Sequence, residues 1–544
     1  MSKRETAPGV GFKRYPGGLA LATLSGVLWF LACTPYDLSA LGWIAAVPML
    51  IAIDRAPTLR QALLVGWWAG IVENAGGFSW IVQVLERFAG LPLIASLAIF
   101  AIFCAYQGVV LLLFTLLVRL IRAHGPVPFT LLSPLLIAVC EWLLPELFPY
   151  GRFITQAWHP LFIQIAEITG PYGVTALLML VNGALYDVFT QRRQALIPAF
   201  GAAAVLLAAL LFGVFRMRQL DDAIAHAPPV EIGVVQPNTV YRVRGRFTQE
   251  AAQAQLARLQ SETQRLEQAG AKLVVWSEGS YPFRLPPQFT VDFPTDSPHH
   301  IRRDIGVPVI IGGLTAERVG DEPFNSAVLL DSQGKAVGRY DKVRLIAFGE
   351  RIPKIEYFPW LRRRLPEGAG RFMPGAGPQV LQAEGLSTRP LRLAPVICYE
   401  DILPGYLRSV GALHPDLLVN LTSDSWFGAR TEPWQHLALA VFASVELRTG
   451  MVRAVNSGVS AYIDPTGRVV DKTYAIDPYL DSPPADGRVF SVAMLPGGRT
   501  FYAMFGNIFV YACIGASAII AIFTVRRERM VGTRAARDLL DVAT

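Results

Sequence analysis

The chain has 544 residues, of which 52% are hydrophobic and 17% are charged, and its formal net charge is +7. With a mean hydropathy of +0.38, it is too apolar for a soluble protein of two or three domains, so the composition indicates a membrane protein. The basic residues are scattered or border apolar stretches, and this pattern argues against a nucleic-acid partner.

Apolar stretches predict a bundle of seven transmembrane helices in the first 220 residues and an eighth near the C-terminus. A span of about 20 apolar residues crosses a bilayer. The predicted spans are roughly 17–33, 41–53, 62–83, 91–120, 129–148, 170–190, 195–217 and 502–523. The basic N-terminus before the first span is similar to that of a signal peptide, but a second apolar stretch follows almost at once, so we expect an uncleaved helix.

Arginines between the spans predict the orientation of the helices. The arginines that fall on the side of the basic N-terminus are Arg55, Arg60, Arg119, Arg122, Arg192, Arg193, Arg526, Arg527 and Arg529. Because cytoplasmic loops are enriched in Lys and Arg, both termini should lie in the cytoplasm. We therefore expect a membrane domain at 1–220, an outward-facing domain at 225–496, a last helix at 502–525 and a cytoplasmic tail at 526–544.

The outward-facing region alternates between strand and helix patterns. The stretches 230–236 and 307–312 are typical of buried strands, and 248–268 has apolar residues at a helical spacing near 3.6. A hairpin is predicted between 325 and 340, across a Ser-Gln-Gly-Lys turn. This alternation indicates an α/β fold with helices on one face of each sheet.

Three residues with catalytic chemistry follow predicted strands. Glu278 ends one apolar stretch, Lys342 follows the hairpin, and Cys398 follows the apolar stretch 393–397. A thiolate is a strong nucleophile, and a nearby carboxylate can take the proton of its thiol. Taken alone, Cys398 is equally consistent with a small buried hydrophobic residue. The other four cysteines fall in predicted spans, so Cys398 has no disulfide partner in its domain.

The order of these three residues resembles the Glu-Lys-Cys triad of the nitrilase (carbon–nitrogen hydrolase) superfamily. The flanks that also match are Phe348-Gly349-Glu350, Cys398-Tyr399-Glu400 and the stretch 420–427. The resemblance implies a four-layer α-β-β-α sandwich in which Glu278 is the base, Lys342 lowers the pKa of the thiol, and Cys398 is the nucleophile.

The resemblance also implies supporting roles for residues next to the triad. Lys342 and the backbone N–H of Tyr399 should stabilise the oxyanion. Glu350 should hold Lys342 or assist proton transfer, and the alternative is a surface acid that pairs with Arg351. Glu400 matches a further glutamate of the family, and alternation along an extended segment would return it to the side of the nucleophile.

The whole arrangement of helical bundle, nitrilase-like domain and closing helix resembles the apolipoprotein N-acyltransferase family. The resemblance implies transfer of an acyl chain from the sn-1 position of phosphatidylethanolamine, through a cysteine thioester, to the α-amino group of diacylglyceryl-cysteine in apolipoproteins. This is the last step of lipoprotein maturation, at the bacterial inner membrane with the catalytic domain in the periplasm. We expect no cofactor or metal, and a monomer.

Aromatic residues near the predicted site are typical of a surface that rests on a bilayer or binds lipid. They are Trp426, Phe427, Trp434, Tyr357, Phe358 and Trp360. Arg344 is close enough to Lys342 in sequence to contact a phospholipid phosphate. Core packing is the simpler explanation for any one aromatic, but for the arginine-rich loop at 354–375 we favour contact with the membrane.

Two other functions fit parts of the sequence. A membrane-anchored amidase or nitrilase would hydrolyse a small C–N bond with the same triad, although seven helices exceed what an anchor requires. A transporter with a regulatory domain would need several charges in its spans, and only Glu73 and Glu141 stand out. These two acids either stabilise the bundle or line a lipid path. Ser277 and Asp401 depart from the family pattern, which leaves an altered substrate preference open.

Overall fold

The computed structural model describes residues 15–87, 89–144, 148–191, 195–240, 248–317, 322–347, 349–352, 372–477, 484–497 and 499–543. Within these residues a helical half comes first and an α/β half follows. A C-terminal helix then packs back against the helical half.

The helical half contains eleven α-helices of unequal length among the described residues. Its helices are α1 (Pro16–Ala32), α2 (Val47–Arg55), α3 (Leu59–Gly77), α4 (Trp80–Arg87), α5 (Leu93–Gln107), α6 (Val109–Arg122), α7 (Phe129–Leu143), α8 (Pro160–Ile163), α9 (Ala166–Thr169), α10 (Pro171–Gln191) and α11 (Leu196–His226). Among the described residues, the helices long and apolar enough to cross a membrane are Leu93–Arg122, Pro171–Thr190, Leu196–His226 and Ile508–Met530. Shorter apolar helices lie at Gly17–Ala32, Phe129–Leu143 and Pro160–Thr169. Helix length therefore supports four of the eight predicted spans.

The predicted span at 41–53 falls on a 3-10 turn, Ser39–Trp43, and on the short helix α2, so it is not one continuous α-helix. Helix α2 begins at Val47 and has nine residues, so it covers about 14 Å. The backbone before α2, which includes the 3-10 turn Ser39–Trp43, is bonded by Asn182. The Oδ1 of Asn182 accepts from the Ala46 N–H at 2.8 Å, and its Nδ2 donates to the Gly42 carbonyl at 3.0 Å. Because these groups are buried in protein, the side chain replaces the water that such backbone otherwise needs.

Glu73 and Glu141 pair with one arginine inside the helical half. Arg152 Nη2 lies 2.5 Å from Glu73 Oε2, and its Nη1 lies 2.9 Å from Glu141 Oε1. The three side chains are at most 5% exposed. A buried guanidinium and its carboxylates depend on one another, because loss of either leaves an uncompensated charge. These contacts favour the stabilising role over a lipid path.

Two mixed sheets form the α/β half. In spatial order, the strands of the first sheet are β13 (Asp486–Ala493), β1 (Pro229–Gln236), β2 (Leu273–Trp276), β4 (Val309–Thr315), β5 (Phe324–Leu330) and β6 (Ala336–Asp341), and β3 (Arg284–Leu285) pairs with β4. Those of the second sheet are β12 (Val469–Lys472), β11 (Ala461–Ile463), β10 (Gly450–Asn456), β9 (Leu417–Ser423), β8 (Leu391–Ile397) and β7 (Leu381–Ala383). The strands predicted at 230–236, 307–312 and 393–397 are present, as is the predicted hairpin.

The two sheets pack face to face, and helices cover their outer faces. The helices of this half are α12 (Gln249–Gln268), α13 (Pro404–Gly411) and α14 (Glu432–Leu447). Side chains such as Ile232, Leu393 and Val419 form the core between the sheets. Helix α12 covers the first sheet and α14 covers the second. This is the predicted α-β-β-α sandwich, and its central strands are continuous apolar runs because both of their faces are buried.

Helix α14 also joins the α/β half to the helical half. Its Phe442 packs edge-on against Phe153, with ring centroids 4.8 Å apart. Its Gln435 donates from Nε2 to the Gly77 carbonyl at 2.8 Å and accepts from Trp80 Nε1 at 3.0 Å. Buried residues of both halves belong to one hydrophobic cluster at this boundary, so the halves share a core.

Two predicted boundaries shift in the structure. Helix α11 continues past the expected end at 220 to His226, and Arg468 Nη2 donates to Asp221 Oδ2 at 3.0 Å, which ties its last turns to the α/β half. The last span does not begin at 502, because the short helix α15 (Phe501–Phe505) ends at Gly506 with φ +61°. Helix α16 (Ile508–Ala543) follows and continues through the predicted tail.

Candidate active site

Three strand ends bring the predicted triad to one edge of the sandwich. Glu278 follows β2, Lys342 follows β6 and Cys398 follows β8. Lys342 Nζ lies 3.3 Å from Glu278 Oε1 and 2.8 Å from Glu350 Oε1, and its side chain is fully buried. The ammonium is therefore shared between two carboxylates. The other oxygen of Glu350 accepts from the Ile346 N–H at 2.9 Å, so this acid faces the site.

An asparagine that the sequence analysis did not single out orients the predicted base. Asn325 on β5 donates from Nδ2 to Glu278 Oε1 at 2.7 Å, and the same group lies 3.4 Å from Glu350 Oε1. The backbone carbonyl of Asn325 accepts from the backbone N–H of Lys342 at 2.8 Å. The carboxylate of Glu278 is thus held by two donors, which fixes its position relative to Lys342.

Burial dominates the acid–base behaviour of this site. It raises the pKa of the Cys398 thiol to about 12, although the charge of Lys342 acts in the opposite direction. Burial also raises the pKa of Glu278, with Lys342 opposing the rise and Glu350 adding to it. Burial disfavours the charged form of Lys342, but Glu278 and Glu350 outweigh it and raise the pKa of Lys342 well above its ordinary value. At neutral pH the site therefore holds a thiol and an ammonium, and a base is needed to form the thiolate.

The nucleophile lies in strained backbone at the start of a short 3-10 turn, Cys398–Ile402. The φ of Cys398 is +53°, in the left-handed region that costs a residue with a Cβ roughly 1–2 kcal/mol. Its carbonyl accepts from Asn420 Nδ2 at 3.1 Å. Neighbouring contacts must compensate the strain.

Glu400 is the main contact that holds this turn. The donors to its carboxylate are the backbone N–H groups of Ile397, Val343 and Arg344 and the hydroxyl of Tyr340, at 2.7 to 2.8 Å. Burial raises the pKa of Glu400, but every neighbour of its oxygens is a donor, so the contacts fit the ionised carboxylate. Glu400 therefore ties the turn that carries Cys398 to the residues directly after Lys342.

A second group of buried charges lies next to Cys398, and the sequence analysis did not predict it. Arg453 Nη1 contacts Asp401 Oδ2, and Asp401 Oδ1 lies 2.9 Å from His436 Nε2. His436 Nδ1 lies 3.2 Å from Asp424 Oδ1. Asp401, which departs from the family pattern in sequence, is thus a paired acid. Its partners are 35 and 52 positions away in sequence. The only local sign that Asp401 belongs to the site is therefore its charge soon after a strand end.

Asp424, Glu432 and His436 place possible metal-ligating atoms within 4.8 Å of one another, whereas histidine spacing in the sequence suggested no such group. Burial disfavours a charged imidazole, but Asp424 and Glu432 outweigh it and raise the pKa of His436 to about 9. A charged imidazole donates from both ring nitrogens and binds no metal ion. In this state the three residues form an ion-pair cluster.

An apolar cavity opens beside Cys398 between the two halves of the protein. The lining residues of the helical half are Phe78, Trp80, Phe148, Pro149, Tyr150 and Ile154. Those of the α/β half include Ile346, Cys398, Tyr399, Ile402, Phe427, Glu432 and His436. The rings of Trp80 and Phe427 meet edge-on across the boundary, with centroids 5.1 Å apart. Because both halves supply its walls, the cavity depends on how they pack together.

The described aromatic residues predicted to face the membrane are half-buried. Trp426, Phe427 and Trp434 belong to this set, and of these Phe427 lines the cavity. The guanidinium of Arg344, predicted to meet a phosphate, lies 5.7 Å from the centre of the Tyr406 ring. The predicted aromatics that fall outside the described residues are Tyr357, Phe358 and Trp360.

Comparisons with known proteins match both halves of the chain. A family model described as apolipoprotein N-acyltransferase N-terminal domain matches residues 25–184, and a carbon-nitrogen hydrolase model matches 231–474. A protein named apolipoprotein N-acyltransferase from Geobacter metallireducens is 30% identical over 525 residues, which are 93% of this chain and 95% of that protein. One of the same name from Chlorobaculum tepidum is 27% identical over 94% of this chain and 97% of its own. An amidase structure from Nesterenkonia sp. is 18% identical and covers 53% of this chain and 96% of its own, with a TM-score of 0.36.

Proposed function

The chain belongs to the apolipoprotein N-acyltransferase family, and from this we propose that Cys398 carries an acyl group from a phospholipid to the N-terminal amine of a lipoprotein. The protein is an N-acyltransferase of lipoprotein maturation. The observation that carries the proposed route is the apolar cavity beside Cys398. Walls such as Phe78, Trp80 and Phe427 suit a hydrocarbon chain, whereas hydrolysis of a small amide requires no such lining.

In the first half-reaction, the sulfur of Cys398 attacks the sn-1 ester carbonyl of phosphatidylethanolamine. Because burial keeps the thiol protonated at neutral pH, Glu278 takes its proton as the C–S bond forms. The ammonium of Lys342 and the backbone N–H of Tyr399 stabilise the developing oxyanion. The C–O bond then breaks, and the lysophospholipid alcohol leaves with the proton held by Glu278.

In the second half-reaction, the α-amino group of diacylglyceryl-cysteine attacks the thioester. Glu278 passes a proton from the nitrogen to the sulfur of Cys398 as the C–S bond breaks. Glu350 keeps Lys342 charged and in place through both steps, since their atoms are 2.8 Å apart. Apolar walls exclude the water that would otherwise hydrolyse the thioester.

We further propose that the chain crosses the bacterial inner membrane eight times as a monomer, with both termini in the cytoplasm and the α/β half in the periplasm. The four long apolar helices support this topology, as do the arginines on the side of the N-terminus. The second crossing would combine the 3-10 turn at Ser39–Trp43 with α2. The aromatic and basic loop at 354–375 would contact the periplasmic surface of the inner membrane, close to the head groups of the acyl donor.

Intact-mass analysis of the detergent-purified protein tests the proposed route. After incubation with phosphatidylethanolamine, the mass should increase by one acyl chain, and hydroxylamine should remove it. Cys398→Ala should gain nothing, while Cys513→Ala, which removes a buried cysteine of the last helix, should behave as wild type. Absence of an adduct on wild-type protein, together with hydrolysis of short aliphatic amides, would support the amidase function instead.

A further inference from the structure

A buried carboxylate lines the nucleophile's cavity without a full set of partners. Glu432 is the first residue of α14 and is 6% exposed. Its Oε2 has no hydrogen-bond partner, and the Nδ1 of His436 lies 3.8 Å from its Oε1, beyond hydrogen-bond distance. Glu432 and Cys398 line the same cavity. A buried acid in this state is costly unless a donor or a cation joins it.

The charges around Glu432 leave room for one more cation. The described acids of this cluster are Asp401, Asp424 and Glu432, and the described cations are His436 and Arg453. Arg453 forms an ion pair with Asp401, and His436 lies between Asp401 and Asp424. Oδ2 of Asp424 also has no partner. Burial and the charge of Asp424 raise the pKa of Glu432 well above its ordinary value. A cation that binds beside Glu432 would favour its ionised form, in which three negative charges face two positive charges.

We propose that Glu432 binds the α-ammonium group of the acceptor lipoprotein and accepts its first proton. This inference rests on the proposed function and deepens it, because it assigns the acceptor's cation to a residue that the triad does not include. The acceptor brings a primary ammonium group on a lipid-bearing residue, so its charge enters an apolar cavity. There Glu432 supplies both the missing counter-charge and a hydrogen-bond acceptor.

The protons and bonds of the second half-reaction balance with two acids. An ammonium group that becomes an amide nitrogen loses two protons. Glu432 takes the first and frees the lone pair, which attacks the thioester carbon of acyl-Cys398. Glu278 takes the second proton and gives it to the sulfur as the C–S bond breaks. The amide leaves, and Glu432 releases its proton to solvent as the ammonium group of the next acceptor enters.

The test separates the half-reactions in Glu432→Gln, which keeps the size of the side chain and removes its charge. Thioester formation with phosphatidylethanolamine should remain within about twofold of wild type. Discharge of the thioester by a synthetic diacylglyceryl-cysteine peptide should slow by about ten- to a hundredfold, the range expected for a lost charge-assisted hydrogen bond. Glu432→Asp, which keeps the charge, should recover part of the rate.

The matched control is Glu446→Gln on the same helix. Glu446 is also buried with an unpartnered Oε2, but it does not line the cavity, so both half-reactions should match wild type. Discharge of acylated Glu432→Gln at the wild-type rate would overturn the inference, and so would an equal slowing of both half-reactions, which indicates a structural role. Stoichiometric Zn²⁺ in the purified protein, lost in Glu432→Gln, would show a metal site instead. If the wild type forms no thioester, the proposed function itself is refuted, and the inference about Glu432, which depends on it, is refuted as well.

Discussion

Replacing Glu400 by glutamine should loosen the turn that carries the nucleophile. Glutamine keeps the shape of the side chain, but one oxygen becomes an NH2 group that faces donors. If the remaining oxygen stays toward Val343 and Arg344, the NH2 group faces the N–H of Ile397, one residue before Cys398, and the hydroxyl of Tyr340. That hydroxyl can turn to accept from the NH2 group and donate to Tyr406. That N–H loses its acceptor in a buried site, at a cost of about 1–3 kcal/mol. The opposite orientation leaves the N–H groups of Val343 and Arg344 without an acceptor and costs about twice as much. We therefore expect the first orientation and use its smaller cost.

The lost hydrogen bond should destabilise the conformation of the turn in which Cys398 reacts, because Cys398 has a positive φ that its neighbours must maintain. The rate of thioester formation should therefore decrease by roughly 5- to 150-fold, measured by intact mass against time. The thermal midpoint in detergent should also decrease. Glu384→Gln, on an exposed position of the α/β half, is the matched control. A Glu400→Gln protein with the acylation rate and thermal midpoint of wild type would refute the claim that this carboxylate holds the nucleophile.

Three charges and one thiol give further predictions. Lys342→Met leaves the two carboxylates that it bridges unpaired and should slow thioester formation at least about a hundredfold in the mass assay. Alkylation of Cys398 by iodoacetamide should increase about tenfold per pH unit from pH 7 to 10, because its pKa is raised to about 12, and a plateau near pH 8.5 would contradict this. The pKa of His436 is raised from 6.5 to about 9, so its charge stabilises the fold fully below pH 6.5 and loses about 3 kcal/mol as pH rises through 9; His436→Gln should remove this alkaline decline in thermal midpoint. Arg152→Met should lower the free energy of unfolding by about 3–5 kcal/mol, seen as a lower thermal midpoint, whereas the exposed Arg55→Met should have little effect.

The strands and the triad were predictable because their signals are local. Apolar runs that end in Glu278 and Cys398, and a lysine directly after a hairpin, mark strand ends without any knowledge of the partner strands. In the first sheet β2 pairs parallel with β4, and two antiparallel pairings lead from β4 to β6. β2 and β6 therefore run in the same direction, and Glu278 and Lys342 follow strands that end at the same edge. The four-layer arrangement came from the family resemblance rather than from any local pattern.

The contacts that complete the site were not predictable, because they join distant residues. Asn325 lies inside a predicted hairpin strand, where an asparagine has no local sign of its contact with Glu278. His436 is in a helix, and in sequence its partner Asp401 is only a charged residue that departs from the family pattern. Apolar composition likewise predicted a span at 41–53, but composition does not say whether the backbone is helical. The helix is interrupted there, and Asn182 of the later helix α10 bonds the backbone at the interruption.

The dependence of this early segment on Asn182 has a consequence for biosynthesis. The side chain that bonds the Ala46 N–H is made 136 residues later, which at ordinary elongation rates is a delay of roughly 7–27 s. During that interval the newly made segment has no partner of its own for these backbone groups, and lipid offers none. The first helices must therefore remain with the insertion machinery, or in contact with water, until α10 emerges. Assembly of the helical half can therefore finish only after the ribosome has translated the sixth predicted span, which carries Asn182.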